Sequence, residues 1–312
     1  MWRYREALPV EAEKHIVSFG EGFTPLISED FFGKPVFLKL DYVFPSGSFK
    51  DRGASVLVSK IKELTIENVV EDSSGNAGAA IAMYCAKANV ACDIYVPETT
   101  SAGKLEQIQH AGATLHKIPG SREDTTQAVW DVVQTTYYAS HYWNPFFFQG
   151  TKTCAFEIVE QLGWRAPDAI ITPVGNGTLL FGLFLGLQEL LHESIIQKIP
   201  KIIGVQAANC SPLVDLWNHR TPKQRKKTIA EGIAIARPVR APDIIHAVQE
   251  TKGSLLSVTE HEITQALRET RRKGYYIEPT SAVAVAGISK FKQNKNDVVV
   301  VPLTGHGLKT QH

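Results

Sequence analysis

The sequence lacks most of what would place it outside the ordinary soluble globular proteins. Its 312 residues include only four cysteines and two methionines. Cys85, Cys92, Cys154 and Cys210 form no C-x-x-C pair and sit in apolar, element-like segments, as reduced core thiols of a cytoplasmic protein do. There is no long hydrophobic run. The greasiest stretch, LLFGLFLGL at 179–187, falls far short of the roughly 20 residues a bilayer span needs. The N-terminal MWRYREALPVEAEK has neither the apolar core nor the small-residue cleavage site of a secretory signal. No charge of one sign dominates: 33 Lys plus Arg face 32 Asp plus Glu, so nothing global favours nucleic acid or an anionic membrane as partner. Internal repeats and low-complexity tracts are missing as well, and no His, Cys or carboxylate falls at metal-ligand spacing, so no catalytic metal is expected.

What is present is a regular alternation. Short Val/Ile-rich runs, VFLKL (36–40), NVV (68–70), CDIYV (92–96), TLHKI (114–118), AIITPV (169–174), KIIGVQA (201–207) and DVVVVP (297–302), are separated by segments with apolar residues at three and four spacing. That rhythm predicts an α/β fold of two domains, each a mostly parallel twisted sheet flanked by helices. The break is expected near YWNPFFFQG, 142–150, giving a smaller domain over 34–149 and a larger one over 150–312, joined by the N-terminal segment 1–33. A basic loop, TPKQRKKT at 221–228, is the one sizeable charge run.

Four stretches carry chemistry. FPSGSFKDRG, 44–53, delivers Lys50 into the first turn of a helix, where the dipole favours anions and a cation is out of place unless chemistry requires it. TPVGNGTLLFG, 172–182, runs from an apolar strand through Gly175, Asn176, Gly177 and Thr178 into an apolar helix. Bare N–H groups there make an anion cradle suited to a phosphate. The third glycine of a dinucleotide fingerprint is replaced by Leu180, and the Gly-Lys-Ser/Thr of a Walker loop is absent. EDSSGNAG, 71–78, places Ser73, Ser74, Gly75 and Asn76 at a helix start, as a simple cap or as convergent donors for a small carboxylate. PLTGHGLK, 302–309, puts Thr304 at the carboxyl end of a buried strand, where α/β proteins bind ligands; His306 reads as a satisfied loop histidine.

Taken together, GEGFTPL (20–26), PSGSFKDRG (45–53), SSGNAG (73–78), NPFFFQGTKT (144–153), PVGNGT (173–178) and TGHGLK (304–309) resemble the fold-type II pyridoxal-phosphate enzymes of the tryptophan synthase β superfamily, and among them the threonine synthases. The resemblance, which spans nearly the whole chain, implies a lyase of amino-acid biosynthesis using pyridoxal 5'-phosphate. It implies that Lys50 carries the cofactor as a Schiff base and serves as the general base, helped by a helix start with little solvent that favours the neutral amine. It further implies that Asn76 bonds the ring hydroxyl, that Gly175, Asn176, Gly177 and Thr178 hold the cofactor phosphate, and that Thr304 meets the pyridine nitrogen. Ser73, Ser74 and the backbone at Ala77 would grip the substrate carboxylate. The smaller domain would hold substrate, the larger the cofactor, and a homodimer acting on a small amino acid would be usual.

For a threonine synthase the reaction is O-phospho-L-homoserine plus water to L-threonine and phosphate. At one place the chain departs from that pattern: the arginine usual two residues after Asn-Pro is Phe147, and the polar residues upstream are His141, Tyr142 and Trp143. An aromatic surface stands where a bidentate cation would hold a phosphate, with Lys152, His141 and Lys104 as the remaining candidate cations. The alternative reading is therefore β-elimination or β-replacement on a smaller amino acid, like the serine/threonine dehydratases or the phosphoserine and cysteine synthases.

Overall fold

A computed structural model describes residues 1–100, 102–120, 122–221 and 224–309, with the side chains of 102–104 and 122–123 left aside. Two compact units divide the chain, one built from 1–22 and 44–151, the other from 23–43 and 152–309. After two 3-10 segments, Trp2–Ala7 and Glu13–His15, the chain lays down β1 (Leu26–Phe31) and β2 (Lys34–Lys39). There follow α1 (Lys50–Glu63), β3 (Asn68–Glu71), α2 (Asn76–Ala88), β4 (Ala91–Pro97), α3 (Ala102–His110), β5 (Thr114–Ile118), α4 (Arg122–Val132), β6 (Tyr137–Tyr138) and α5 (Pro145–Thr151). The remainder is α6 (Thr153–Gln161), β7 (Ala169–Pro173), α7 (Thr178–His192), β8 (Lys201–Ala207), α8 (Pro212–Trp217), α9 (Ala241–Glu250), β9 (Ser254–Val258), α10 (Glu260–Arg272), α11 (Pro279–Lys290) and β10 (Val299–Pro302).

The smaller unit holds a four-stranded parallel sheet in the order β5-β4-β3-β6. In β4 the side chains alternate, with Cys92, Ile94 and Val96 buried beneath the Ala-rich α2, the pattern of a strand with one packed face. The larger unit holds six strands in the order β1-β2-β10-β7-β8-β9, parallel except for the β1–β2 hairpin. Here β7 and β10 are buried at every position, as strands covered on both faces must be. The core of this unit gathers around α11, whose residues Ala282 to Ala286 are fully buried. A capping box, Thr259 with Glu262, starts the strongly amphipathic α10.

Strand VFLKL pairs with β10 in the larger sheet, so residues 34–43, grouped by sequence with the smaller domain, lie in the larger unit, and 1–22 lie in the smaller one. The three strands the pattern did not reveal are β1, β6 and β9, each partly exposed or very short. All four cysteines are free and buried. Among the described residues no helix is long and apolar enough to cross a membrane.

A buried ion pair fastens the hairpin to the larger unit. Lys39 and Glu157 meet at 2.7 Å with neither side chain exposed, and Lys39 Nζ also donates to the Thr24 carbonyl at 2.6 Å and to Gln161 Oε1 at 2.8 Å. Removing one member would strand a charge in the core, so Lys39→Met should lower unfolding free energy by about 3–5 kcal/mol, read from urea denaturation. The double variant Lys39→Met/Glu157→Leu should recover most of that loss.

In the smaller unit, Glu63 ties the end of α1 to the N-terminal segment. Lys60 Nζ donates to it at 2.6 Å, and the amides of Glu11 and Ala12 and the ring of His15 also reach it. The Lys60 bond first, then the two amides and His15, bring the Glu63 carboxyl down from 4.5 to about 2. Its lowered value contributes stability that is fully present above the ordinary 4.5 and is lost as pH falls through about 2. Acid titration should accordingly release residues 11–15, seen as faster hydrogen exchange at Glu11 and Ala12. Glu63→Gln should abolish that dependence and cost about 1 kcal/mol, the scale of a solvent-screened pair.

Candidate active site

Each unit carries half of the expected site. In the smaller unit, Lys50 is the first residue of α1, which starts without a side-chain cap. The Pro-Ser-Gly-Ser turn before it is pinned by buried Asp51, which accepts from the Ser46 amide at 2.9 Å and from the Ser46 hydroxyl. Lys50 Nζ lies 4.9 Å from the centre of the Phe49 ring and 5.7 Å from that of Phe147. A Cβ on Gly53, one turn further along α1, would overlap the Phe147 ring, so the glycine is what lets that ring in.

At the carboxyl end of β3, Ser73 is buried, Ser74 and Asn76 are half-buried and Ala77 is buried. The cap of α2 is Gly75, with no side chain closing the helix start. Ser73 instead accepts from the Gly75 amide at 3.3 Å, which shapes the loop. Among the described residues neither Ser73 nor Ser74 makes a cap hydrogen bond to α2, and a helix start of this kind favours a small anion.

In the larger unit, the chain leaves β7 through Gly175, Asn176 and Gly177, and Thr178 opens the 15-residue α7. Gly177 is the cap residue at φ +78°, a conformation favouring glycine, and a Cβ there would strike Ile244. No side chain caps this helix either. A glycine-lined cradle at a long helix's start suits the phosphate of pyridoxal phosphate.

Thr304 follows β10 and is buried, its hydroxyl 2.9 Å from that of Ser281 and 3.4 Å from Glu278 Oε1. Ser281 also accepts from the amides of Thr304 and Gly305, at 2.8 and 3.0 Å. Ser281 and Glu278 escaped the sequence reading; the signal was Glu-Pro-Thr-Ser at a helix start, with Pro at its first position. A neutral hydroxyl held this way suits a pyridine nitrogen that is not to be protonated. His306 sits between the rings of Tyr42 and Tyr276 and accepts from the Leu308 amide at 3.1 Å, a satisfied loop histidine.

Two of the candidates for a substrate-phosphate cation, His141 and Lys152, are paired with carboxylates. His141 Nδ1 meets buried Glu71 at 2.6 Å. Asp72 accepts from the hydroxyls of Tyr142 at 2.9 Å, Tyr138 at 3.0 Å and Thr126 at 2.9 Å. Burial, then the charge of Asp72, drives the phenols of Tyr138 and Tyr142 well above the ordinary tyrosine range. Glu71, Asp72 and His141 thus bring three potential metal-ligating atoms within 4.8 Å of one another, a grouping that sequence spacing did not reveal. Lys152 is paired with Glu189 at 2.7 Å in the larger unit. The side chain of Lys104 lies outside the described residues, as do Pro222 and Lys223 of the basic loop.

The family described as pyridoxal-phosphate dependent enzymes matches residues 17–305. Threonine synthase of Methanocaldococcus jannaschii is 37% identical over 325 residues, covering 99% of this chain and 80% of that protein. That of Mycobacterium tuberculosis is 34% identical over 318 residues, covering 98% and 87%. Among solved structures, serine racemase from Dictyostelium discoideum superposes with a TM-score of 0.78 at 28% identity, covering 92% of each chain. A threonine deaminase, at 22% identity with a TM-score of 0.75 over 91% of this chain and 92% of its own, shares the fold. The glycine cradle, the hydroxyl pair at Thr304 and the lysine of α1 sit in a chain that matches over almost its full length, and the protein belongs to the pyridoxal-phosphate-dependent enzyme family, with the fold-type II architecture.

Proposed function

We propose that this pyridoxal-phosphate-dependent lyase is threonine synthase-like, converting O-phospho-L-homoserine and water to L-threonine and phosphate. The observation that carries the reading is Lys50 in the first turn of α1, on the same unit as the open helix start at Ser73 to Ala77, in a chain aligned with threonine synthases over 99% of its length. When bound, the cofactor supplies a conjugated ring that accepts the electron pair left at the substrate's α-carbon.

The chain's own residues do the rest. Lys50 anchors the cofactor's aldehyde and, once released, takes and returns protons at the substrate carbon. Backbone N–H groups of Gly175 to Thr178, at the start of α7, would hold the cofactor phosphate, Asn76 would bond its ring hydroxyl, and Thr304, whose hydroxyl meets Ser281, would serve its ring nitrogen without charging it. Ser73, Ser74 and the amide of Ala77 grip the substrate carboxylate. In this reading the smaller unit supplies the substrate grip together with Lys50 and Asn76, and the larger one the cofactor's phosphate loop and Thr304.

A second reading is favoured by one observation: Phe147 is fully buried where a phosphate-binding cation is wanted, and His141 is engaged with Glu71. It is β-elimination or β-replacement on a smaller amino acid such as serine, threonine or phosphoserine.

Purified protein loaded with pyridoxal phosphate should show a visible band that shifts on adding O-phosphohomoserine, with phosphate and threonine released in equal amounts. Lys50→Ala should lose the borohydride-stable adduct and at least a thousandfold in turnover, the scale of about 4 kcal/mol. Release of a 2-oxo acid and ammonia from serine or threonine, with O-phosphohomoserine left intact, would transfer the assignment to the second reading. Gly177→Ala should weaken cofactor binding by tenfold or more, measured by equilibrium dialysis against pyridoxal phosphate, because the new Cβ meets Ile244 and the backbone sits at positive φ.

A further inference from the structure

Lys50 is set between two aromatic rings, and one of them is clamped. Phe49 precedes it in the chain, whereas Phe147 arrives from α5, nearly 100 residues later, and is wholly buried. On one side the Phe147 ring lies on Gly53, which shares the face of α1 that Lys50 starts. On the other, the His141 ring stands edge-on at 6.2 Å, itself fixed by Glu71. The ring therefore has little freedom to turn away from the lysine.

We propose that Phe147 is a positioning residue for Lys50: its ring, with that of Phe49, seats the lysine's ammonium group whenever the lysine is free of the cofactor and protonated. The negative face of an aromatic ring attracts a cation within about 6 Å of its centre, and both rings lie inside that range. Two effects at this place act the other way, since the positive end of α1 and the scarcity of solvent both disfavour an ammonium. The rings offset them, and the offset fixes where Nζ stands before it reacts. Packing alone would be met by any apolar side chain of this volume; the seat needs a π face.

The proposal builds on the assignment of Lys50 as the reactive lysine, but its test is independent of that assignment. Cofactor-free protein is pulsed with acetic anhydride over a pH series, and acylation of Lys50 is followed by peptide mass spectrometry, with Lys60 as internal reference. Phe147→Leu should move the midpoint of Lys50 acylation down by about 0.4–1 pH unit, while Phe147→Tyr, which keeps a π face, should retain the wild-type midpoint. Other titratable groups on or around α1 are Asp51 and Arg52 beside Lys50 on the helix, Lys60, Lys62 and Glu63 at its far end, Tyr84 on α2, Glu13 and His15 on the 3-10 turn against it, Glu21, and the Glu71–His141 pair behind Phe147. All are kept in each variant, so the difference between Leu and Tyr reports the ring.

Thermal melts establish that both variants are folded; if Phe147→Leu does not fold, Phe147→Met replaces it. Equal midpoints in the wild type and the Leu variant, or equal shifts in Leu and Tyr, would overturn the proposal. Borohydride reduction of the loaded enzyme separates the two ideas: a midpoint shift without a cofactor adduct on Lys50 upholds the seat and sinks the cofactor role, and an adduct without a shift does the reverse.

Discussion

A lysine ammonium at the opening of a helix is set against the dipole of that helix, and much of the smaller unit is arranged around this conflict. Asp51 fixes the turn that brings Lys50 to the helix start. Gly53 gives up its side chain so that Phe147 can reach the same face, and Glu71 and His141 back that ring from behind. A more comfortable residue at position 50 would relax all of these demands. In the proposed function it is this amine that reacts, and the surrounding residues fix where it stands.

The other half of the chemistry rests on the larger sheet. Parallel strands end together, so the loops after β7 and β10, neighbours in the sheet although about 130 residues apart in sequence, emerge at the same edge. One loop contributes a glycine-lined helix start, which the proposed function gives to a phosphate, and the other a buried hydroxyl, which it gives to a ring nitrogen. Ser281, on the helix that begins two residues earlier, orients that hydroxyl and satisfies two amides with a single oxygen.

Much of this was legible in the sequence. Strands buried on both faces announce themselves as Val/Ile runs, so β7, β8 and β10 were unmistakable, and the glycines at 175 and 177 mark the tight turn from β7 into α7. Less legible were β1, with LISEDF half exposed, and β6, only two tyrosines long. Sheet membership was hidden too: VFLKL reads as a strand, but its partner, β10, lies some 260 residues away. Tertiary partners of that kind also concealed the Glu71–His141 pair and the role of Glu278. A side chain's type can be read locally; what it will touch cannot, because contacts between distant residues are set by the whole packing.

The hairpin of residues 23–43 has a consequence for how the protein can be divided. Because β2 lies between β1 and β10, the larger unit is not a continuous piece of chain. A fragment cut to begin at 152 would lose both strands of the hairpin and lay open the side of β10, a short, wholly apolar VVVP strand with a row of unpaired backbone groups. Lys39 would be gone as well, leaving Glu157 a buried carboxylate without its ammonium. The larger unit so truncated would carry a sticky edge and a core charge at once. That edge is covered by a strand synthesised before most of the smaller unit, so the growing chain must keep the far side of β2, the side turned from β1, open until β10 has been made.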